Sequence, residues 1–125
     1  MTVLNVSDVT ASIRFYEKMG FVSHGIWDDP KIGFAIIQRG QVSIGLDGTP
    51  NQNRARPAWW TAYIYVADAR AVYQEFKDAG VPVDDFRDHN AYGCLDFDVV
   101  DPGGYRLAFG QDLDPTNGPG LRADD

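Results

Sequence analysis

A chain of 125 residues is the length of one domain, long enough to bury roughly two thirds of the surface its unfolded form exposes. Lysine and arginine number 11 against 18 aspartates and glutamates, a formal net charge of -7, which argues against nucleic acid and permits a cationic partner. The single cysteine, Cys94, excludes an internal disulfide and a Cys-rich metal site. With no leader-like segment in residues 1–8 and no apolar run near the roughly 20 residues that span a bilayer, the chain reads as cytoplasmic, with no membrane partner.

Residues 2–6 read as a strand. Asp8 then caps a helix, since its carboxylate can accept free amide hydrogens of the first turn. Val9, Ile13 and Tyr16 recur at helical spacing, and Gly20 supplies the left-handed stop. Three strands follow near 21–27, 33–38 and 41–47, with Arg39-Gly40 as a tight turn. Residues 48–57 form a polar linker in which Pro, Asn and Arg dominate. A strand over 59–66 leads to a second helix, capped by Asp68, with Ala69, Val72, Tyr73 and Phe76 on its apolar face and Gly80 as its stop. Strands near 81–86, 93–100 and 105–109 follow, the last two joined by the turn Asp101-Pro102-Gly103-Gly104. The acidic tail 112–125 reads as loose.

The chain repeats itself. Val6/Val66, Asp8/Asp68, Tyr16/Phe76 and Gly20/Gly80 pair at an offset of 60, and Phe34/Phe97, Ile36/Val99, Ile37/Val100, Gly40/Gly103, Ile44/Leu107 and Leu46/Phe109 pair at 63. The expected fold class is therefore α+β. Two paired βαβββ modules, 1–47 and 58–111, form a cupped, curved mixed sheet with helices on the outer face, in one structural domain.

Strand alternation sorts residues by face. Ala62, Ile64, Val66, Ile44, Leu46, Leu107 and Phe109 should face the helices. The opposite parity holds Trp59, Thr61, Tyr63 and Tyr65, then Ser43, Gly45 and Asp47, then Asp96 and Asp98, then Arg106 and Ala108. That mixture of aromatic, polar and small residues suits a ligand cleft, with Trp27 and Tyr92 at its rims. Asp96 and Asp98 flank Phe97 and point the same way, so they meet a cation or raise each other's pKa. Arg106 can pair with one of them or bind an anionic group. Trp60 has the other parity and is expected to pack or lie at a subunit edge. Cys94 shares parity with Asp96, although a lone buried cysteine is usually inert.

The sequence Val-Ser-Asp-Val, Ser-Ile-Arg-Phe-Tyr-Glu-Lys-Met-Gly-Phe early and Asp-Pro-Gly-Gly-Tyr-Arg-Leu-Ala-Phe late, set in this repeat, resembles the vicinal-oxygen-chelate superfamily up to about Gln111. Its members include glyoxalase I, extradiol dioxygenases, fosfomycin-resistance enzymes and bleomycin-resistance proteins. The resemblance places the ligands of metal-dependent members at Met1, Gly45, Thr61 and Ala108. None of these is a good ligand for a catalytic divalent metal, which wants imidazole or carboxylate. No metal and no cofactor are expected, and His24 and His89 remain as isolated candidates only.

Without the metal, the chain is similar to the bleomycin-resistance branch, whose members sequester antibiotic without turnover. The resemblance implies a homodimer with shared clefts, binding a bulky aromatic, cationic small molecule of the bleomycin type. The expected ligand contacts are Trp59, Thr61, Tyr63, Tyr65, Ser43, Asp47, Asp96, Asp98, Arg106, Ala108, Trp27 and Tyr92, with no catalytic residue. The alternative is an isomerase, lyase or dioxygenase-like enzyme, with Asp96, Asp98 or Asp47 as base and Arg106 stabilising an oxyanion, or with a non-standard metal site.

Overall fold

The computed structural model describes residues 1–51, 59–89, 93–113 and 123, with the backbone alone at Asp88 and His89. Its elements are β1 (Thr2–Asn5), α1 (Val9–Glu17), β2 (Val22–Trp27), β3 (Phe34–Arg39), β4 (Val42–Asp47), β5 (Trp60–Tyr65), α2 (Ala69–Asp78), β6 (Arg87–His89), β7 (Cys94–Val100) and β8 (Arg106–Asp112). They form two four-stranded mixed sheets, ordered β1-β4-β3-β2 and β5-β8-β7-β6. In each, the first strand runs parallel to the last and the other pairs are antiparallel. The doubled βαβββ order read from the sequence is thus present as two sheets of the same topology.

Local chemistry explains the helices. Asp8 and Asp68 are extended N-caps whose carboxylates accept the amides of Ala11 and Ala71, each at 3.1 Å. Beyond each helix, Gly20 and Gly80 adopt φ of 80°, which costs glycine little and other residues more. Each helix buries one face: Val9, Ile13 and Tyr16 on α1, and Ala69, Val72 and Phe76 on α2. Against them pack Ile37, Ile44 and Leu46 of the first sheet and Phe97, Val99, Leu107 and Phe109 of the second, in one contiguous cluster. Phe76 meets Phe109 edge to face with ring centroids 4.9 Å apart.

Two expectations change. Residues 81–86 do not pair as a strand, and the ladder begins at Arg87. Val81 is buried and Val83 and Phe86 pack on the core, so the apolar alternation is real. Pro82 has no amide hydrogen to give a ladder. The second change concerns the repeat. In β3 and β7, Ile37 and Val99 face Ile44 and Leu107, an offset of 62 and not 63. The extra residue falls in the following turn, which has Gly40-Gln41 in the first module and Pro102-Gly103-Gly104 in the second. A slip of one residue in a strand exchanges its faces. The counterparts of Phe34 and Ile36 are therefore Asp96 and Asp98.

Polar links among the described residues join the modules. The Tyr16 hydroxyl, on a fully buried side chain, donates to Asp101 Oδ2 at 2.6 Å. Asp101 Oδ1 accepts the amides of Gly103 and Tyr105, so one carboxylate closes its own turn and receives the opposite helix. The Tyr105 hydroxyl donates to the Asn5 carbonyl at 2.9 Å, and Arg39 forms a two-pronged pair with Glu75. In the expected tail, Ala123 is buried and its amide donates to the Tyr65 carbonyl at 2.9 Å.

Removing the Tyr16 hydroxyl leaves a buried carboxylate oxygen without its donor. Tyr16→Phe is expected to lose about 1–3 kcal/mol in urea denaturation. An unchanged midpoint would show that the Asp101 link does not hold the modules together.

Candidate functional site

The face of the second sheet turned away from α2 carries the candidate site. Along β5, the open-face parity is reset by a bulge: Trp60 pairs with Arg106 and Ala62 with Leu107, leaving Thr61 as the extra residue. Trp60, expected to lie elsewhere by alternation, is thereby brought to the same face as Tyr63. Their ring centroids lie 5.1 Å apart, Trp59 stands 5.2 Å from Trp60, and Tyr65 stands 5.2 Å from Tyr63. Four aromatic rings thus run along one strand.

Behind the rings lie Asp96 and Asp98, both buried. Each meets a cation, as their shared parity allows. Arg87, opposite Asp96 in the β6–β7 ladder, donates its Nε–H to Asp96 Oδ1 at 3.0 Å and both terminal nitrogens to Asp98. Arg106 donates to Asp98 Oδ2 at 2.6 Å and to Asp84 Oδ2 at 3.2 Å. The Trp60 indole N–H donates to Asp98 Oδ1 at 2.9 Å, and the Tyr63 hydroxyl donates to Asp96 Oδ2 at 2.8 Å. The Arg87 guanidinium also lies 5.6 Å from the centre of the Trp60 ring. Burial works against ionisation of Asp98, but the hydrogen bonds from Arg87, Arg106 and Trp60 outweigh it and hold its pKa below the ordinary value. Burial, and then the bond to Asp96, push the Tyr63 hydroxyl upward, so it stays a donor.

Gly110 makes this geometry possible. It pairs with both Tyr65 and Asp96, and a Cβ there would overlap the Tyr63 hydroxyl and ring. Only a residue without a side chain lets Tyr63 cross β8 to reach β7.

The expected contact residues fall into distinct groups. Trp59, Tyr63, Tyr65 and Arg106 share this face, with Trp59 70% exposed. Asp96, Asp98 and Ala108 are covered and reach a ligand only through the side chains above them. Ser43 lines a cavity of about 380 Å³ at the seam of the modules, with Met1, Thr2, Val42, Ala62 and Tyr63. The Thr61 hydroxyl is buried without a hydrogen-bond partner among the described residues. Asp47 accepts the Thr49 amide at 2.9 Å, which keeps its carboxyl below the usual range. Trp27 is exposed on the first sheet, 6.0 Å from Phe34. Tyr92 lies outside the described residues. Besides Trp60, the residue missed from sequence is Arg87, which falls between the strands expected near 81–86 and 93–100. Two acids two apart on a strand signal a need for a cation on a neighbouring strand, and that signal points to it.

The four positions where relatives would hold a metal offer a thioether, a hydrogen, a hydroxyl and a methyl group. Gly45 is closed over by Phe34 and Val3, each 3.1 Å from where a Cβ would stand. This donor set does not fit a catalytic divalent metal. Among the described residues no group of three or more His, Cys, Asp or Glu is placed to hold one. His24 is exposed and bonds Gln38 at 2.9 Å, and the His89 side chain lies outside the described atoms. Cys94 is buried.

The model of the glyoxalase/bleomycin resistance protein/dioxygenase superfamily matches residues 1–109, and the chain belongs to that superfamily. No curated protein matches its sequence. Among solved structures, the fold is similar to a bleomycin resistance determinant encoded on transposon Tn5, with a TM-score of 0.73, 21% identity, and coverage of 89% of this chain and 94% of that one. It is similar to the bleomycin-binding protein of bleomycin-producing Streptomyces verticillus, complexed with copper(II)-bleomycin, at 0.67, 26%, 86% and 90%. It is also similar to a glyoxalase-related enzyme from Clostridium phytofermentans at 0.70, 14%, 89% and 92%. Among the described residues no helix is long and apolar enough to cross a membrane.

Two outcomes follow for this face. Because the folded pKa of Asp98 is depressed, its contribution is complete above the unfolded value of about 3.9 and is lost as pH falls through the lower folded value. Thermal midpoints should therefore fall across that acid window, and Asp98→Asn should lower the neutral-pH midpoint and flatten the acid limb. An acid limb identical in the variant would contradict the pairing. Gly110→Ala should displace Tyr63 from Asp96 and cost about 1–3 kcal/mol in chemical denaturation. Wild-type stability in that variant would show that Tyr63 does not need the gap.

Proposed function

We propose that this protein binds and sequesters a bulky aromatic small molecule of the bleomycin type, without a metal and without turnover. The observation that carries the reading is the run of Trp59, Trp60, Tyr63 and Tyr65 along the open face of β5. Planar heteroaromatic groups gain about 0.5–1.5 kcal/mol per ring contact beyond their buried area. The acidity of the chain supports a cationic group somewhere on the ligand. The likeness to a bleomycin resistance determinant and to a bleomycin-binding protein supports the same class.

The carboxylates support binding over catalysis. A general base must reach the proton it removes. Both oxygens of Asp98 and both of Asp96 already accept donors, and both residues are buried. Asp47 is engaged by Thr49. The three bases of an enzymatic reading are thus occupied, and Arg106 is turned to Asp98 and Asp84.

The first sheet supports a homodimer with shared clefts. The centre of its corresponding open face is apolar, with Val3 opposite Gly45, Gly45 opposite Ile36, and Trp27 opposite Phe34, between Ser43 and Gln38 at one end and Asp47 at the other. Val3 is 50% and Trp27 51% exposed. A second copy covering that face would supply the wall that completes the aromatic one. The protein acts in the cytoplasm in this reading.

Calorimetry with a bleomycin-group drug, in the presence of chelator, should show stoichiometric uptake. Absence of heat at high micromolar drug would refute the antibiotic assignment, and stoichiometric nickel, zinc, manganese or iron in purified protein would refute the metal-free one. Light scattering should give twice 13.9 kDa, and a mass of one chain would refute the dimer.

A further inference from the structure

The ion pairs beneath the aromatic run engage only part of what their arginines offer. A guanidinium carries five N–H donors in a rigid plane. Both bonds of Arg106, to Asp98 and Asp84, are made by one terminal nitrogen, Nη1. Its Nε–H and its other terminal nitrogen have no partner among the described residues, on a side chain one third exposed. Arg87 makes three bonds, through Nε and each terminal nitrogen, and is equally exposed. Donors are therefore left over on both side chains, on the same face as Trp59 and Trp60.

Positive charge is not left over. Asp96 and Asp98 stand against Arg87 and Arg106, and Asp84, 59% exposed, adds a third carboxylate beside Arg106. Among the described residues this wall thus carries two positive and three negative groups. It has no net attraction for an anion, and the hydrogen-bonding groups that its arginines leave unpaired are donors. Asp98 also fixes the direction of these donors, because it holds Arg87, Arg106 and the Trp60 indole together.

We propose that this wall selects an uncharged hydrogen-bond acceptor, such as an amide carbonyl or a ring nitrogen, attached to a planar aromatic group. The ring lies on Trp59 and Trp60, and the acceptor meets the free edge of Arg106, with Arg87 beside it. A carboxylate in that place meets Asp84 and Asp98 at close range, and an ammonium meets the guanidinium hydrogens. The inference rests on the ligand-binding reading above and narrows its ligand class. It makes Arg106 a specificity-determining residue, Asp98 a positioning residue, and Asp84 the group that turns the wall net negative.

Ligand-observed NMR titrations at neutral pH would test it, with naphthalene-2-carboxamide, naphthalene-2-carboxylate and 2-naphthylmethylammonium as probes on one ring. The carboxamide should bind tightest, by about fivefold, the scale of a single net hydrogen bond. Arg106→Gln should abolish the advantage of the carboxamide. Asp84→Asn removes an exposed carboxylate and takes the wall from one net negative charge to neutral, so it should shift the preference toward the carboxylate. Tighter binding of the carboxylate or ammonium by the wild type, equal binding of all three, no binding at millimolar concentration, or an unchanged ratio in Asp84→Asn would each overturn the proposal. The probe series does not involve the antibiotic. A carboxamide preference without bleomycin uptake would sink only the antibiotic assignment, and bleomycin uptake indifferent to Arg106→Gln would sink only this one.

Discussion

Two carboxylates buried side by side on one strand are the constraint around which the second half of the molecule is arranged. Taking an ion out of water costs several kcal/mol unless partners replace the lost hydration. Asp96 and Asp98 sit two residues apart on β7, so one guanidinium spanning both is an economical solution. Arg87 fills that role only if its strand lies alongside β7 in the right register, and the short ladder of β6 places it opposite Asp96. The remaining lone pairs require donors from the other side, and β5 and β8 provide them through Trp60, Tyr63 and Arg106. Four strands are thus tied through two side chains.

The repeat explains why this arrangement occurs once. Both modules share strand order, capped helices and glycine stops, all of which depend on the backbone and the helix-facing residues. The open faces are under no such common demand. Where β7 has Asp96 and Asp98, the same places on β3 have Phe34 and Ile36. Where β5 has Tyr63 beside Ala108, β1 has Val3 beside Gly45. One wall has an apolar centre, and the other has carboxylates already satisfied by their neighbours. A ligand held between walls of these two kinds can be apolar on one side and hydrogen-bonded on the other, a combination a symmetric pair would not offer.

Much of the frame was legible in the sequence. The caps at Asp8 and Asp68, the stops at Gly20 and Gly80, the Asp101 turn and the shared direction of Asp96 and Asp98 each follow from local chemistry or strict alternation, and the structure has them all. What alternation could not carry was interruption. One extra residue at Thr61 moved Trp60 to the open face, and one extra turn residue made an apparent Phe34/Phe97 match conceal the structural pair Phe34/Asp96. Bulges and slips leave composition unchanged, so nothing in a count of apolar positions marks them. Arg87 was hidden for another reason: its role depends on a partner strand whose pairing begins just after a proline-containing stretch with strand-like alternation.

Neutralising the acids within the protein changes what the site can do. A carboxylate that must stay ionised to satisfy two arginines and an indole is a poor proton acceptor for a substrate, because protonating it would break those bonds as well. The same bonds hold Arg87, Arg106 and Trp60 in fixed positions before any ligand arrives. Side chains already ordered lose little entropy on binding, which is the usual route from modest contacts to useful affinity. The buried pair therefore removes reactivity from this face and adds rigidity to it. Both effects favour holding a molecule over transforming it. Gly110 serves the same end from beneath, by letting Tyr63 lie across the sheet and complete the shell around Asp96.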